Sequence, residues 1–194
     1  MPLNRLLRGP VDAAAQGLLG CELVRDEVVL RIVEVEAYAG PEDSASHARH
    51  GRTARNAPMW GPPGRAYLYF CYGMHWMLNV VTGPAEQASA VLIRGAEVVA
   101  GLDAVLTRRK VAKPSAQLCA GPGKVAQALG LDRAFDGHDL LRPGGLQLRP
   151  ATTPGVILRG PRVGIDFASE PDRLRPWRFI LAGSPAVSRP RIAP

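Results

Sequence analysis

Val28-Val29-Leu30-Arg31-Ile32-Val33-Glu34-Val35-Glu36-Ala37-Tyr38 is the stretch on which the reading of this 194-residue chain turns. β-Branched residues crowd it, and such residues suit a pleated strand. With strict alternation Leu30, Ile32, Glu34, Glu36 and Tyr38 share one face, and Val29, Arg31, Val33 and Val35 share the other. The strand therefore carries an apolar side, and a second carboxylate followed two residues later by an aromatic ring. Taken alone, Glu34 and Glu36 read as solvent-facing strand residues. Their surroundings shift that weighting.

On the N-terminal side, Val11 to Leu19 reads as a short helix, with Gly20 placed to stop it. On the C-terminal side, Gly40 to Gly64 is loop-rich, punctuated by Gly40-Pro41 and Gly61-Pro62-Pro63-Gly64. Arg65 to Cys71 and Met74 to Val81 are strand-like and predict a hairpin on a two-residue Tyr72-Gly73 turn. Gly73 supplies the positive φ, and Tyr72 lies at the tip. This register puts Asn79 on the face opposite Tyr67 and Tyr69. Further strands are expected over Ala88 to Arg94, Gly155 to Leu158, Val163 to Phe167 and Trp177 to Leu181. Val98, Leu102, Val105 and Leu106 fall at helical spacing before the basic Arg108-Arg109-Lys110, and Lys124 to Leu129 suits a second short helix. The pattern predicts one α+β domain over residues 1–194, with a curved, mainly antiparallel sheet, flanking helices and a protruding hairpin.

Composition narrows the function classes. Hydrophobic residues make up 46% and charged residues 21%, which are globular values, and no apolar run approaches the roughly 20 residues of a membrane span. No signal-peptide stretch follows Met1, so a cytoplasmic location is expected, nucleoid-associated if the source is bacterial. Cys21, Cys71 and Cys119 show no repeated spacing and read as buried thiols rather than a disulfide framework. The net charge of +7 and pI of 9.9 are compatible with a nucleic-acid partner, although 21 of the 24 basic residues are Arg in an Ala/Gly/Pro-rich chain.

The distribution of residue types is more telling than their totals. All four tyrosines (Tyr38, Tyr67, Tyr69, Tyr72) and three of the four histidines (His47, His50, His75) lie between Tyr38 and Trp76. Residues 44–85 contain no Asp or Glu but carry Arg49, Arg52, Arg55 and Arg65. Cations to neutralise phosphates beside rings that accept any base face suit a nucleic acid. The bland reading is a Pro/Gly loop followed by a strand.

Hydrolysis of an N-glycosidic bond builds positive charge on the sugar and needs a carboxylate beside it to activate water. Glu36 is the candidate, with Tyr38 about 6–7 Å further along the strand as a stacking wall. Arg94 stands alone in the apolar Ala90-Val91-Leu92-Ile93-Arg94-Gly95, where a buried cation needs a partner, either Glu36 or a DNA phosphate. A metal is not expected. His47-Ala48-Arg49-His50 with Cys71 and His75 lacks a second closely spaced ligand pair. Gly121-Pro122-Gly123-Lys124 reads as a turn and helix start rather than a phosphate loop.

The chain resembles the alkyladenine (3-methylpurine) DNA glycosylase family. Arg31 to Asp43 looks like its catalytic strand and following loop, and Tyr69-Phe70-Cys71-Tyr72-Gly73-Met74-His75-Trp76-Met77-Leu78-Asn79 is similar to its DNA-wedging hairpin. Val91 to Arg94, Leu118 to Lys124 and Arg178 to Pro185 match as well. The resemblance implies a monomer without cofactors that acts on double-stranded DNA containing damaged purines. It implies Glu36 as the water-activating base, Arg94 beside it, and Tyr38 facing His47 and Tyr69 across the flipped base. Asn79 would lie on the pocket floor and Tyr72 would intercalate, with Arg52, Arg55, Gly73, Met74 and His75 supporting the hairpin or the DNA backbone. His75-Trp76 replaces a Tyr-Phe-like pair, and the loop at Arg52 to Asn56 is one residue shorter than in animal members. The alternatives are a catalytically silent nucleic-acid-binding module, which gives Glu36 no role, and a metal-dependent nucleic-acid hydrolase.

Overall fold

The computed structural model describes residues 1–150 and 155–192. Helices α1 (Leu3–Leu7) and α2 (Val11–Leu18) lead into strands β1 (Glu22–Arg25) and β2 (Val28–Tyr38). Strands β3 (Ala66–Cys71), β4 (His75–Val81) and β5 (Ala90–Ala100) follow, then helices α3 (Leu102–Arg109) and α4 (Pro122–Ala128). After them come β6 (Leu146–Arg149), β7 (Ile157–Gly160), α5 (Glu170–Leu174) and β8 (Arg178–Leu181). Gly20, at φ 83°, lies just past α2 and its N–H donates to Ile32 O at 2.8 Å, so the residue that stops the helix also docks it to β2.

The strands pair antiparallel in the order β3-β4-β5-β2-β1-β6, and β8 joins β2 on one side and β7 on the other. β2 is the centre of this curled sheet. β5 pairs along nearly all of it, β1 takes its N-terminal half, and β8 takes Glu34 to Glu36. With partners at both edges, every residue from Ile32 to Ala37 is buried, the two glutamates included. The solvent-facing reading of Glu34 and Glu36 is therefore corrected. A central strand covered on both faces leaves no exposed side for them.

The strict alternation along β2 also fails. The β2–β5 register shifts on either side of Glu34, between its pairing with Gly95 and those of Ile32 and Val35. The core-facing residues accordingly run Leu30 and Ile32, then Val35 and Ala37. Glu34, Glu36 and Tyr38 leave the apolar set at this irregularity, which re-aims side chains as bulges beside active sites do. Composition along the strand does not reveal it.

Three other expectations change. Val98 pairs with Leu30 inside β5, and the following helix starts only at Leu102. Gly101 makes the corner at φ 74°, where a Cβ would lie 2.5 Å from Glu27 O. Val163 to Phe167 is a turn rather than a strand, and the strand predicted from Gly155 runs instead from Ile157 to Gly160. α2 packs on β2, and α4 packs on β4 and β5, around one principal apolar core. No helix among the described residues is long and apolar enough to cross a membrane.

Candidate active site

The β3–β4 pairing brings the aromatic strand to the catalytic-strand candidate. Cys71 pairs with His75, so the connection is Tyr72-Gly73-Met74, three residues instead of the expected two. Tyr72 at φ 50° and Gly73 at φ 66° both adopt the left-handed region, and Met74 N–H donates to Cys71 O at 3.1 Å. That extra residue moves Asn79 opposite Tyr67, and no bulge in the hairpin is needed to bring them to one face. Asn79 in turn pairs with Leu92, and Leu92 with Glu36. Directly opposed residues share a sheet face. Tyr67, Asn79, Leu92 and Glu36 thus form one row across four strands.

A cavity of about 330 Å³ lies over this row, at the small end of ligand pockets (~300–1,000 Å³). Tyr38, His47, Tyr69, Asn79 and Arg94 line it, with Arg55 and Tyr72 among its outer residues. Its walls are mainly aromatic and apolar. The His47 and Tyr69 rings meet edge to face at 4.4 Å, and His47 Nδ1 lies 2.9 Å from the Tyr67 hydroxyl. Burial among these rings, aided by the charges of Arg55 and Arg49, pushes the imidazole down to about 4. His47 is therefore neutral at physiological pH.

Glu36 has no exposed surface, but three residues bonded to it line the cavity. Its Oε2 accepts from the Tyr38 hydroxyl at 2.8 Å and from Arg94 Nη1 at 3.3 Å, while Oε1 accepts from Val163 N–H at 2.7 Å. Burial raises the Glu36 carboxyl above the ordinary carboxylate range. Arg94, the Val163 N–H and the Tyr38 hydroxyl all oppose the rise, and Glu34 adds to it. The three donors favour the ionised form and so oppose the cost of burying it.

Arg94 also donates from Nε to Glu34 Oε1 at 3.2 Å and from Nη2 to Ser188 Oγ at 3.2 Å. Burial lowers its pKa, but the Glu36 and Glu34 charges outweigh this and hold it above its ordinary value. Glu34 is tied further to Arg178 Nε at 2.7 Å and to the Ser188 N–H at 2.6 Å. Two carboxylates two residues apart thus differ in place. Glu34 is locked into an Arg94–Arg178–Ser188 network, while Glu36 lies directly behind the cavity wall.

The remaining candidates divide. Tyr72 is 87% exposed, Met74 67%, and Gly73 and His75 are exposed with them at the hairpin tip. A Cβ on Gly123 would meet His75 Cβ at 2.9 Å, so the missing side chain at the start of α4 makes room for His75. Arg55 reaches the cavity, with its guanidinium carbon 5.9 Å from the Tyr69 ring centroid. Arg52 does not reach it, and pairs with Glu86 at 3.0 Å. Cys71 is only half-buried and lines the cavity, unlike the buried Cys21 and Cys119. Among the described residues no three His, Cys, Asp or Glu side chains gather as a metal site.

Sequence reasoning missed Val163, Ile165, Phe167, Leu92 and Met77 as lining residues. Val163 to Phe167 was apolar enough to be noticed, but as a strand. The Val163 contribution is a backbone N–H, which side-chain chemistry cannot signal.

The family model described as methylpurine-DNA glycosylase matches residues 5–185. A protein of Nitrosococcus oceani, provisionally named 3-methyladenine DNA glycosylase, is 53% identical over 97% of this chain and 92% of its own length. A DNA-3-methyladenine glycosylase of Arabidopsis thaliana is 47% identical over 91% of this chain and 70% of its own length. A relative from Methanocella arvoryzae, with the same provisional name as the first, is 43% identical over 93% of this chain and 92% of its own length.

Proposed function

Since the chain belongs to the methylpurine-DNA glycosylase family, we propose that it is a monofunctional DNA glycosylase of base excision repair. It flips alkylated or deaminated purines out of duplex DNA, in the class of 3-methyladenine, 7-methylguanine, ethenoadenine and hypoxanthine. It then hydrolyses the N-glycosidic bond with a water activated by Glu36 and leaves an abasic site. The observation that carries this reading is the Glu36 carboxylate, fully buried yet held by Tyr38, Arg94 and the Val163 N–H, all three of which line the aromatic cavity.

Each part has a role in that chemistry. The Glu36 charge faces the positive charge that develops on the sugar, and the carboxylate takes a proton from the attacking water. Arg94 keeps Glu36 ionised and holds the backbone of the extruded nucleotide. Tyr38 stacks on one face of the base, and the neutral His47 with Tyr69 takes the other, so His47 adds no positive charge against a cationic methylated purine held between rings. Asn79 lies deep on the floor row, where it disfavours the exocyclic amine of normal guanine. Tyr72 fills the space the base has left, as wedges of base-flipping enzymes do. The cavity lining includes no lysine, in keeping with hydrolysis without a Schiff base.

The test is direct excision. Excess protein is incubated in EDTA with duplex oligonucleotides that each carry one ethenoadenine, hypoxanthine or methylated purine, and alkali then cleaves abasic sites. Strand cleavage only after alkali is expected. No release from any of these duplexes, or release that EDTA abolishes, would overturn the proposal.

A further inference from the structure

The residue before Val163 has a place in the site that no motif singled out. Arg162 is buried, and its guanidinium grips Asp43 with both ends, Nη1 to Oδ2 at 2.6 Å and Nη2 to Oδ1 at 2.8 Å. Nη1 also donates at 2.9 Å to the carbonyl of Ala37, the residue between Glu36 and Tyr38. The Ala37 N–H is bonded to Trp177 O at 2.9 Å, so the peptides on both sides of the Ala37 Cα are held. The guanidinium carbon lies 4.8 Å from the Tyr38 ring centroid and 5.3 Å from that of Trp177. Nη2 reaches the Asp172 carbonyl at 3.3 Å, while Nε has no hydrogen-bond partner.

Asp43 is as firmly held as the arginine. It has no exposed surface, and its carboxylate also accepts from Ala39 N–H and Ala45 N–H, each at 3.1 Å. The loop leaving β2 is therefore folded around this ion pair. Removing one partner of such a buried pair leaves an uncompensated charge and releases whatever the pair was holding.

We infer that Arg162, gripped by Asp43, is a positioning residue that fixes the Val163 N–H on Glu36 Oε1 and the Tyr38 ring beside it. The step from one to the other is short. Arg162 and Val163 are adjacent, so anchoring the side chain of the first to the Ala37 carbonyl sets where the N–H of the second can point. Without the anchor, the Val163 N–H bond to the Glu36 carboxylate would itself have to tie the turn to the middle of β2. Glu36 would then lose one of its three donors, and Tyr38 the cation over its ring. The inference rests on the assignment of Glu36 as the base.

The experiment compares single-turnover excision across pH for wild type, Arg162→Met and Asp43→Asn, with thermal unfolding of each. The charges that bear on Glu36 are Arg94 from β5 and Glu34 from its own strand, and neither is altered by these substitutions, whereas the Val163 N–H and the Tyr38 hydroxyl are the two donors the pair is inferred to position. Loss of a hydrogen bond to a charged group should move the acid limb of the rate upward by about one pH unit and slow the neutral-pH rate. A purely structural residue would lower stability and leave the limb where it was. If Arg162→Met does not fold, Asp43→Asn, which keeps size and an acceptor oxygen, decides by the same criterion. Folded variants with an unmoved limb, or failure of both to fold, assign the pair to stability alone and overturn the inference. Glu36→Gln in the same assay separates the two claims. Its normal activity would defeat the assignment of the base, whereas its inactivity beside an unmoved Arg162→Met limb would defeat only the positioning role.

Discussion

The Tyr38 hydroxyl donates to Glu36 Oε2 at 2.8 Å, along one strand and one face of it. The ring proposed to stack on the base and the carboxylate proposed to activate water are therefore one mechanical unit. Burial and the neighbouring Glu36 charge both raise the Tyr38 phenol well above its ordinary value, so Tyr38 remains a donor at any working pH. A donor fixed in this way favours the ionised carboxylate, and both groups share the rigid frame of a strand paired at both edges.

Glu36→Gln keeps the shape of the side chain and removes the anion. Binding to lesion-containing duplex should be preserved, and the single-turnover excision rate should fall by at least about 100-fold, the lower end for losing general-base help. Quench-flow or manual sampling with excess enzyme measures this. Near-normal excision would move the base elsewhere.

The pH dependence follows from the raised Glu36 carboxyl. The active form is ionised, so excision should rise with pH through a limb above the ordinary carboxylate value and be lost as pH falls below it. Over the same window the folded chain holds a proton that the unfolded chain has released. This group's contribution to stability is thus present at low pH and declines as pH rises through its folded pKa. Tyr38→Phe removes one of the three opposing donors and should shift the rate limb further up, while retaining the ring. A limb at or below the free-carboxylate value in wild type would contradict the electrostatic picture.

The curled antiparallel sheet, the Glu36 strand and the aromatic β3 strand could all be read from residue patterns, because β-branching and turn glycines act locally. The slip at Glu34 could not. It depends on two strands shifting register together beside Gly95, where a Cβ would fall 2.6 Å from Ala186 O, a contact 91 positions away in the chain. The facing of Asn79 was misread for want of one residue, since Tyr72-Gly73 satisfies a two-residue turn as well as it does the first part of a three-residue one. Arg94 announced itself because a lone cation in an apolar strand needs a partner. Arg162 did not, because its partners Asp43, Ala37 and Asp172 come from a loop, a strand and a helix, the first two far from it in the chain.

Arg94 serves two buried carboxylates at once, so its removal has two separable effects. Arg94→Ala leaves Glu36 without its cation and should slow excision strongly. It also breaks a buried pair, for which a loss of about 3–5 kcal/mol is typical, tempered here because Arg178 still holds Glu34. Arg94→Lys keeps a charge but cannot span Glu34, Glu36 and Ser188 together, and should recover stability more than rate. Denaturant unfolding beside single-turnover kinetics distinguishes the two. A folded Arg94→Ala protein with unchanged rates would remove Arg94 from the chemistry.

Tyr72 combines 87% exposure with a left-handed backbone at φ 50°, an arrangement that a large aromatic gains nothing from in the free protein. Its neighbours at the tip are the exposed Met74 and Gly73, and a Cβ added to Gly73 would meet nothing within 4 Å. The tip is thus free to enter a groove. Extruding a nucleotide costs a few kcal/mol in stacking and pairing, least at damaged or mismatched pairs, and a ring inserted in the gap recovers part of it. Tyr72→Ser should therefore weaken specific binding and excision most at stably paired lesions, and less where the lesion faces an abasic gap or a mismatch. The Glu36 site is untouched by this change, so the acid limb of the rate should stay in place. A fluorescent base analogue at the lesion reports extrusion through loss of stacking. If Tyr72→Ser flips and excises from a well-paired duplex as wild type does, Tyr72 is only a surface aromatic, and the wedge has to be sought in Met74 or His75.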